Sequence, residues 1–600
     1  MSGVGGYAGD FSKWMNNRDT TEIGITESNL KVIIDVKVSQ GAGKNIVFIN
    51  KSYLGISNNV TIKITSTYPE GVMKFANSAS KKYLKLPSNG VITLQDNPEY
   101  TRNEMYLHLE SADLGQITIE QLPLYPGFIL GDGVDDFAVT EKELNFEDTY
   151  TVYTAFIPFQ NDPARDMILC GKNDTKDFSI NYSGTHLNFK PSTGVNLAVR
   201  IDQFALLVCK RNKDITTIIN LSTGESRSLK SVEFISNPGL YYLWRNMFAT
   251  FYAKAAIAGQ IIDKGHFTTD EEDENILNWY KKQYPWLFPD QAWTVTGKTN
   301  EDKDRATIAN IMGNGNDLVL SNLGFAEGSG YGLYVCNFKD TSTWIYYTYN
   351  GTIEITSSTL HVTEAKTARP FLEKNASSGG YNKVKIKVTG IKDGEILKFM
   401  SDEDRDNTIN IEKDGIYSLP GSDKLYYGFR LSNSTNTYPF NCDITIEQIP
   451  EYEGYLVTDG VDDKITSSTF EMGNDWTVIG DWELINTGKN DNAGIVKFNS
   501  IVIYNYNPIL INIKNGRNNL IPDQNTVNAI CSDGRIYSKD WKESIYNEET
   551  ESTSKNLLTI GYSGNNYTKI AFRNLAIYPT VLSKEDCIKA YNYLQTLKAK

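Results

Sequence analysis

The sequence predicts an all-β chain, in which β-sandwich modules and larger β domains with short capping helices follow one another as an internal duplication. Three observations predict it. First, Ile117-Thr-Ile-Glu-Gln-Leu-Pro-Leu-Tyr-Pro-Gly127 returns as Ile444-Thr-Ile-Glu-Gln-Ile-Pro-Glu-Tyr-Glu-Gly454, and Asp132-Gly-Val-Asp-Asp136 returns as Asp459-Gly-Val-Asp-Asp463. Both recur at one offset (444 − 117 = 459 − 132 = 327), the mark of a duplicated unit. Second, short runs such as Val60-Thr-Ile-Lys-Ile-Thr65 alternate apolar and polar residues at the period of a half-buried strand. Third, aromatic residues make up 12% of the chain, with 36 Tyr against 25 Phe, a bias that suits β-structure because the ring is apolar while its hydroxyl stays wet.

Taken in order, residues 1–30 are Gly-, Asn- and Thr-rich around an apolar island of Phe11, Trp14 and Met15, which reads as a disordered tail or as an arm that orders on a partner. Residues 31–123 form a first β-sandwich module, with strands at Val32–Val38, Ile46–Ile49, Val60–Thr65 and, after the Asn89-Gly90 turn, Val91–Leu94. A first larger β domain follows over 124–290. Near its end Thr269-Asp-Glu-Glu272 fits a capping box that opens a helix, and Tyr284-Pro285 closes it. Residues 291–370 read as a connecting β segment with loops at Gly313–Asn316 and Gly328–Gly332 and an aromatic strand at Thr343–Tyr349. The second sandwich module, 371–450, answers the first at offset 324, through Val384–Thr389 and Lys398-Phe399. The second larger β domain, 451–600, ends in a helix capped by Ser583, with Cys587, Tyr591 and Leu594 on one face.

The repeated Asp-Gly-Val-Asp-Asp has two readings. Asp-Gly tolerates the positive φ of a tight turn, and the following carboxylates can fold onto nearby backbone N–H groups. Alternatively Asp132, Asp135 and Asp136, with Asp459, Asp462 and Asp463, offer the hard oxygens that Ca²⁺ prefers, although no EF-hand register follows.

A strand leading into Asp-Gly-Val-Asp-Asp resembles the entry to a laminin-G-like domain of the concanavalin A-like lectin superfamily. Gly313-Asn-Gly-Asn-Asp-Leu-Val-Leu320 resembles a motif near the start of such domains, and Lys569–Asp586 resembles their closing strand and short helix. The resemblance covers about half the chain and implies that 124–290 and 451–600 are laminin-G-like domains, that is, concanavalin A-like jelly rolls. It would place Gly313–Leu320 in the second jelly roll, with the module at 371–450 as an insertion.

Composition excludes several functions. A formal charge of −14 argues against nucleic-acid binding, which needs clustered Lys and Arg. Six cysteines and four histidines are scattered without zinc-ligand spacing or a disulfide framework. No stretch approaches the length of a membrane span, and Met1–Asp10 shows no basic region followed by an apolar run, so no secretory signal is expected. Glycoside hydrolysis needs two carboxylates flanking the scissile bond, but the Glu-x-Asp-x-x-Glu strand by which related glucanases supply them does not occur. The acidic clusters Asp270–Glu274 and Asp402–Asp406 read as a helix start and a loop. Nucleophile elbows, phosphate loops and metalloprotease helices are also absent, so no catalytic residue and no cofactor other than calcium is expected.

What remains is binding or scaffolding. Candidate glycan-stacking aromatics are Trp344, Tyr346, Trp476, Trp482, Tyr562 and Tyr567, each with a core reading beside the functional one. The array of β-modules, the short aromatic N-terminal segment and the acidic, Asn- and Tyr-rich composition resemble bacteriophage virion fibre or decoration proteins, and the combination of Gly313–Leu320, Gly328–Gly332 and the duplicated Asp-Gly-Val-Asp-Asp resembles proteins of phages of gut Bacteroides, including the crAss-like group. That resemblance implies a virion protein anchored through Phe11, Trp14 and Met15 to other virion proteins, with distal domains facing host surface glycans, and a homo-oligomer, commonly a trimer. A purely structural decoration protein and a bacterial surface glycan-binding protein are the rival expectations.

Overall fold

The computed structural model describes residues 3–4, 15–16, 21–25, 30–37, 44–50, 60–77, 82–94, 104–132, 136–159, 167–172, 178–183, 186–190, 196–200, 202–231, 239–244, 253–325, 328–334, 336–374, 384–400, 408–419, 428–485, 494–498, 501–504, 510–513, 519–520, 527–538, 541–545, 556–563 and 566–599. Strands dominate, joined among these residues by the helices α1 (Asp270–Gln283) and α2 (Lys584–Thr596). The all-β expectation holds.

Each sandwich module is a pair of five-stranded antiparallel sheets. In the first, Lys31–Val36 and Gly115–Gln121 alternate buried with less buried positions, so Val32, Ile34, Ile117 and Ile119 meet Ile46, Val47 and Leu107 of the opposite sheet. The two modules share one topology. With their ten strands numbered in chain order, the sheets run 1-4-9-6-7 and 2-3-10-5-8 in both. In the second, Val384–Thr389 buries its valines and Ile386 and turns Lys385 and Lys387 outward, as the alternation requires.

The jelly rolls are duplicated as well. The first pairs a seven-stranded sheet, running from Gly3–Val4 through Ile129–Asp132, Lys254–Lys264 and Tyr150–Pro158, with a six-stranded one. The second repeats that order from Gly330–Tyr331 through Leu456–Val457, Ile570–Tyr578 and Thr477–Leu484. It then adds three strands: Gln291–Thr294 pairs with Ile570–Tyr578, and Thr307–Ile308 pairs with Leu318–Ser321, which pairs with Lys464–Phe470.

Two expectations are corrected by these pairings. Residues 291–370 are not a connecting segment. Their first strands complete the second jelly roll, while Trp344–Tyr346, Gly351–Ile355 and Thr359–Ala365 are the first three strands of the second module. Gly328–Gly332 is likewise not only a loop, because Gly330–Tyr331 pairs with Leu456–Val457.

The described residues of the N-terminal segment are held in strand pairings rather than in a free arm. Gly3 pairs with Leu130 as Gly330 pairs with Val457, and Met15–Asn16 pairs with Val47–Phe48. Phe11 and Trp14 lie outside the described residues, but their sequence counterparts Phe338 and Trp344 pack edge to face at 5.5 Å inside the second module. In both copies, therefore, the sandwich module is inserted between the outermost strand of the shared seven-strand order and the strands of that order that follow it.

A single apolar cluster joins the two jelly rolls. Tyr150–Pro158 is buried along its whole length, because one face packs in its own jelly roll and Ala155 and Ile157 on the other join Phe128, Trp286, Tyr578, Tyr591 and Leu594. Polar bonds fix the contact: the Tyr578 hydroxyl donates to the Trp286 carbonyl at 3.0 Å, and the Phe204 N–H donates to the Tyr593 hydroxyl at 2.7 Å.

Candidate functional site

The second jelly roll brings two groups of the sequence candidates together at one rim. Leu456–Val457 delivers the chain into the turn Asp459–Asp463. Asp459 Oδ1 accepts the N–H groups of Val461 at 2.7 Å and Asp462 at 3.3 Å, and Asp463 Oδ2 accepts the Asp459 N–H at 2.7 Å. Gly460 takes a φ of 79°, and a Cβ there would come within 2.9 Å of the Lys569 nitrogen, so glycine is required twice over. Thr458 ties the turn to the neighbouring chain, its hydroxyl donating to the Thr568 carbonyl at 2.7 Å and accepting the Ile570 N–H at 3.0 Å.

Immediately before Thr568 stands the hairpin Tyr562–Ser563 with Asn566–Tyr567. The two tyrosine rings lie 5.2 Å apart, tilted by 38°, and both are half-buried. The ammonium of Lys464, the residue after Asp463, sits 5.8 Å from the Tyr562 ring centre. The acidic turn and the tyrosine pair thus share one surface.

Asp463 is fully buried, and its Oδ1 has no hydrogen-bond partner. Burial pushes its carboxyl up to about 6, and the adjacent Asp459 and Asp462 carboxylates add to that. Oxygens bound to one Ca²⁺ at about 2.3–2.6 Å lie at most about 5 Å from one another. One oxygen from each of Asp459, Asp462 and Asp463 falls within 4.8 Å of the others, so these residues fit a hard divalent cation. The turn-chemistry reading is realised, and its bonds use only one oxygen each of Asp459 and Asp463.

The remaining candidates fall elsewhere. Trp344, Trp476 and Trp482 are at most 3% exposed, so these three sugar-stacking expectations are corrected. Trp482 and Trp476 fill the second jelly roll and Trp344 the second module, because an indole is the largest apolar volume a sandwich core can take. Tyr346 is 46% exposed on an edge strand of the second module, apart from the acidic turn in the fold. In the first jelly roll Asp132 ends a strand, Asp136 is half-exposed and Asp135 lies outside the described residues. There Trp244, at a φ of 62°, packs on Gly131, where a Cβ would come within 2.8 Å of the indole. By the strand register its position is that of Gly561 in the second copy, so a buried tryptophan stands where the second rim has its hairpin.

Sequence reasoning missed Asn322, whose amide donates to the Asp462 carbonyl at 3.0 Å, and Ser329, whose hydroxyl lies beside Asp463. Both sit in a loop that only the pairing of 318–331 brings to the rim. Of the acidic clusters, Asp273 is spent on a buried network with Lys210, Tyr153 and Thr268, and Asp402–Asp406 lies outside the described residues.

No protein-family model matches the chain, and no curated protein matches it. Among solved structures, the receptor binding domain of botulinum neurotoxin type G is 10% identical over 54% of this chain and 87% of that one, with a TM-score of 0.21. Domains LG4-5 of the mouse laminin α1 chain are 9% identical over 44% and 91%, with a TM-score of 0.19. The binding domain of Paraclostridial Mosquitocidal Protein 1 is 11% identical over 64% of this chain and 98% of its own length, with a TM-score of 0.21.

Proposed function

We propose that this chain is a non-catalytic, lectin-like adhesion protein of a virion, a phage fibre or decoration protein that holds host surface glycans at the rim of its second jelly roll. The observation that carries the glycan reading is the tyrosine pair Tyr562 and Tyr567, on a hairpin that Lys464 and Thr458 tie to the Asp459–Asp463 turn. A pyranose presents an apolar C–H face and a ring of hydroxyls. The tyrosine rings take the first, and the carboxylates accept hydrogen bonds from the second. Bound Ca²⁺ would supply an electrophilic centre for vicinal hydroxyls, with Asp459, Asp462 and Asp463 holding it. The virion setting, its protein partners and a homo-oligomeric state rest on the sequence resemblance.

A glycan array and whole-cell binding screen, run with the intact chain with and without Ca²⁺, tests this. Specific glycans should be retained by the wild type and weakened at least tenfold by Tyr562→Ala or Tyr567→Ala. A folded protein that binds no glycan, or whose binding ignores both substitutions, would sink the reading. Binding to assembled capsids alone would favour the second reading, a purely structural decoration protein.

A further inference from the structure

The duplication exposes a difference between the two jelly rolls. In the second, Gln291–Thr294 pairs with Asn574–Ile577, residue for residue. The pairing of each closing strand with its central neighbour, Ala155 opposite Gly259 and Asp481 opposite Asn574, makes Gly259–Ile262 the matching stretch of the first copy. Among the described residues no strand pairs with Gly259–Ile262 on the side away from Tyr150–Pro158. The second missing partner is on the other sheet. Leu318–Ser321 covers the outer edge of Lys464–Phe470, but among the described residues the equivalent strand Ala138–Val139 pairs only with Tyr241–Leu243.

Burial follows the pairing. Leu575, Ala576 and Ile577 are buried, whereas Gln260 and Ile262 are half-exposed and Ile261 is 38% exposed. Val139 at the other edge is 43% exposed. Open strand edges carrying exposed aliphatic residues are templates for another strand, and folds that leave them solvent-facing usually guard them with charge or proline. Neither guard stands at Ile261 or Val139.

We infer that the first jelly roll is a strand acceptor, completed in trans by a segment of another polypeptide chain with the pattern of Gln291–Ser321. The internal copy defines the occupant: an antiparallel strand like Gln-Ala-Trp-Thr on the edge of Gly259–Ile262, then a loop, then an apolar strand like Leu-Val-Leu-Ser on the edge of Ala138–Val139. Main-chain hydrogen bonds supply affinity and alternate side chains supply selectivity, the physics of β-augmentation.

The probe is a synthetic, fluorescently labelled peptide with the sequence of residues 288–322, titrated into the intact chain and followed by anisotropy, with a scrambled peptide as control. Saturable one-to-one binding is expected, at least tenfold weaker in the double variant Ile261→Lys, Val139→Lys, with a melting temperature raised by the peptide only in the wild type. Both substituted residues are exposed, and an unchanged circular dichroism melt of the double variant without peptide verifies its fold. Absence of binding by the folded wild type would overturn the inference. So would binding that the double variant retains, since the peptide would then be exchanging into the second jelly roll.

Discussion

At the scale of single residues, the most informative groups are those whose surroundings contradict their type. Asp202 is largely buried at a φ of 64°, and burial pushes its carboxyl up to about 6, with Lys598 and Lys254 pulling the other way. A carboxyl raised in the folded state binds its proton more tightly there than when unfolded. The penalty is therefore fully present above pH 6 and disappears as pH falls toward the ordinary value near 4. Asp202→Asn should stabilise the fold at pH 8 by roughly 1–2 kcal/mol after allowance for solvent screening, and by nothing at pH 4. Thermal melts at the two pH values check this, and an equal effect at both would contradict it. The tryptophans show the limit of reading at this scale. Trp344, Trp476 and Trp482 were legible as large apolar groups, but sequence does not tell an aromatic facing a sugar from one facing a core. Tyr562 and Tyr567, read from the sequence as aromatics near a loop, stand half-buried on a short hairpin.

Among elements, the capping box of α1 was readable residue by residue, and Thr269 and Glu272 exchange the expected bonds. The rest of that helix start was not. Asp273 looked like one more solvated acid, yet it lies buried under Lys210 and accepts the hydroxyls of Tyr153 and Thr268, each at 2.8 Å. Such a partnership joins strands and a helix far apart in sequence and leaves no local pattern. Asp273→Ala would leave the Lys210 ammonium, 2% exposed, with only the Thr268 carbonyl and the exposed Asp270 at 4.0 Å, and should cost about 3–5 kcal/mol. Urea denaturation measures it, and a loss under 1 kcal/mol would mean that Lys210 finds another partner. Strand edges were equally silent in the sequence, since alternation reports which face is buried and says nothing of which neighbour is present.

For the whole molecule, the repeat was legible wherever its spacing was rigid, as in the phrase at offset 327. It faded where loops differ: Trp14 and Trp344 stand 330 apart, Val60 and Val384 324 apart. That drift hid the membership of residues 1–30 in the first repeat. Deleting them should therefore destabilise the first module and the first jelly roll, and a truncated chain with an unchanged melt would refute the observed pairing of Gly3 and Met15. The junction between jelly rolls was not legible at all, because Trp286, Tyr578 and Tyr593 meet only after both have folded. Trp286→Ala should remove about 3–5 kcal/mol there. Calorimetry should then show one unfolding peak separating into two; one peak shifted intact would mean that the junction does not couple the halves.

The placement of each module inside its jelly roll also sets a schedule for synthesis. Gly3 must wait for Leu130, and Gly330 for Val457, each 127 residues later (130 − 3 = 457 − 330). At roughly 5–20 residues per second, the ribosome takes on the order of 6–25 s to deliver the partner. During that interval the whole sandwich module emerges and can fold, so each jelly roll closes around a finished neighbour. The first strand of each repeat to be made is among the last to be used.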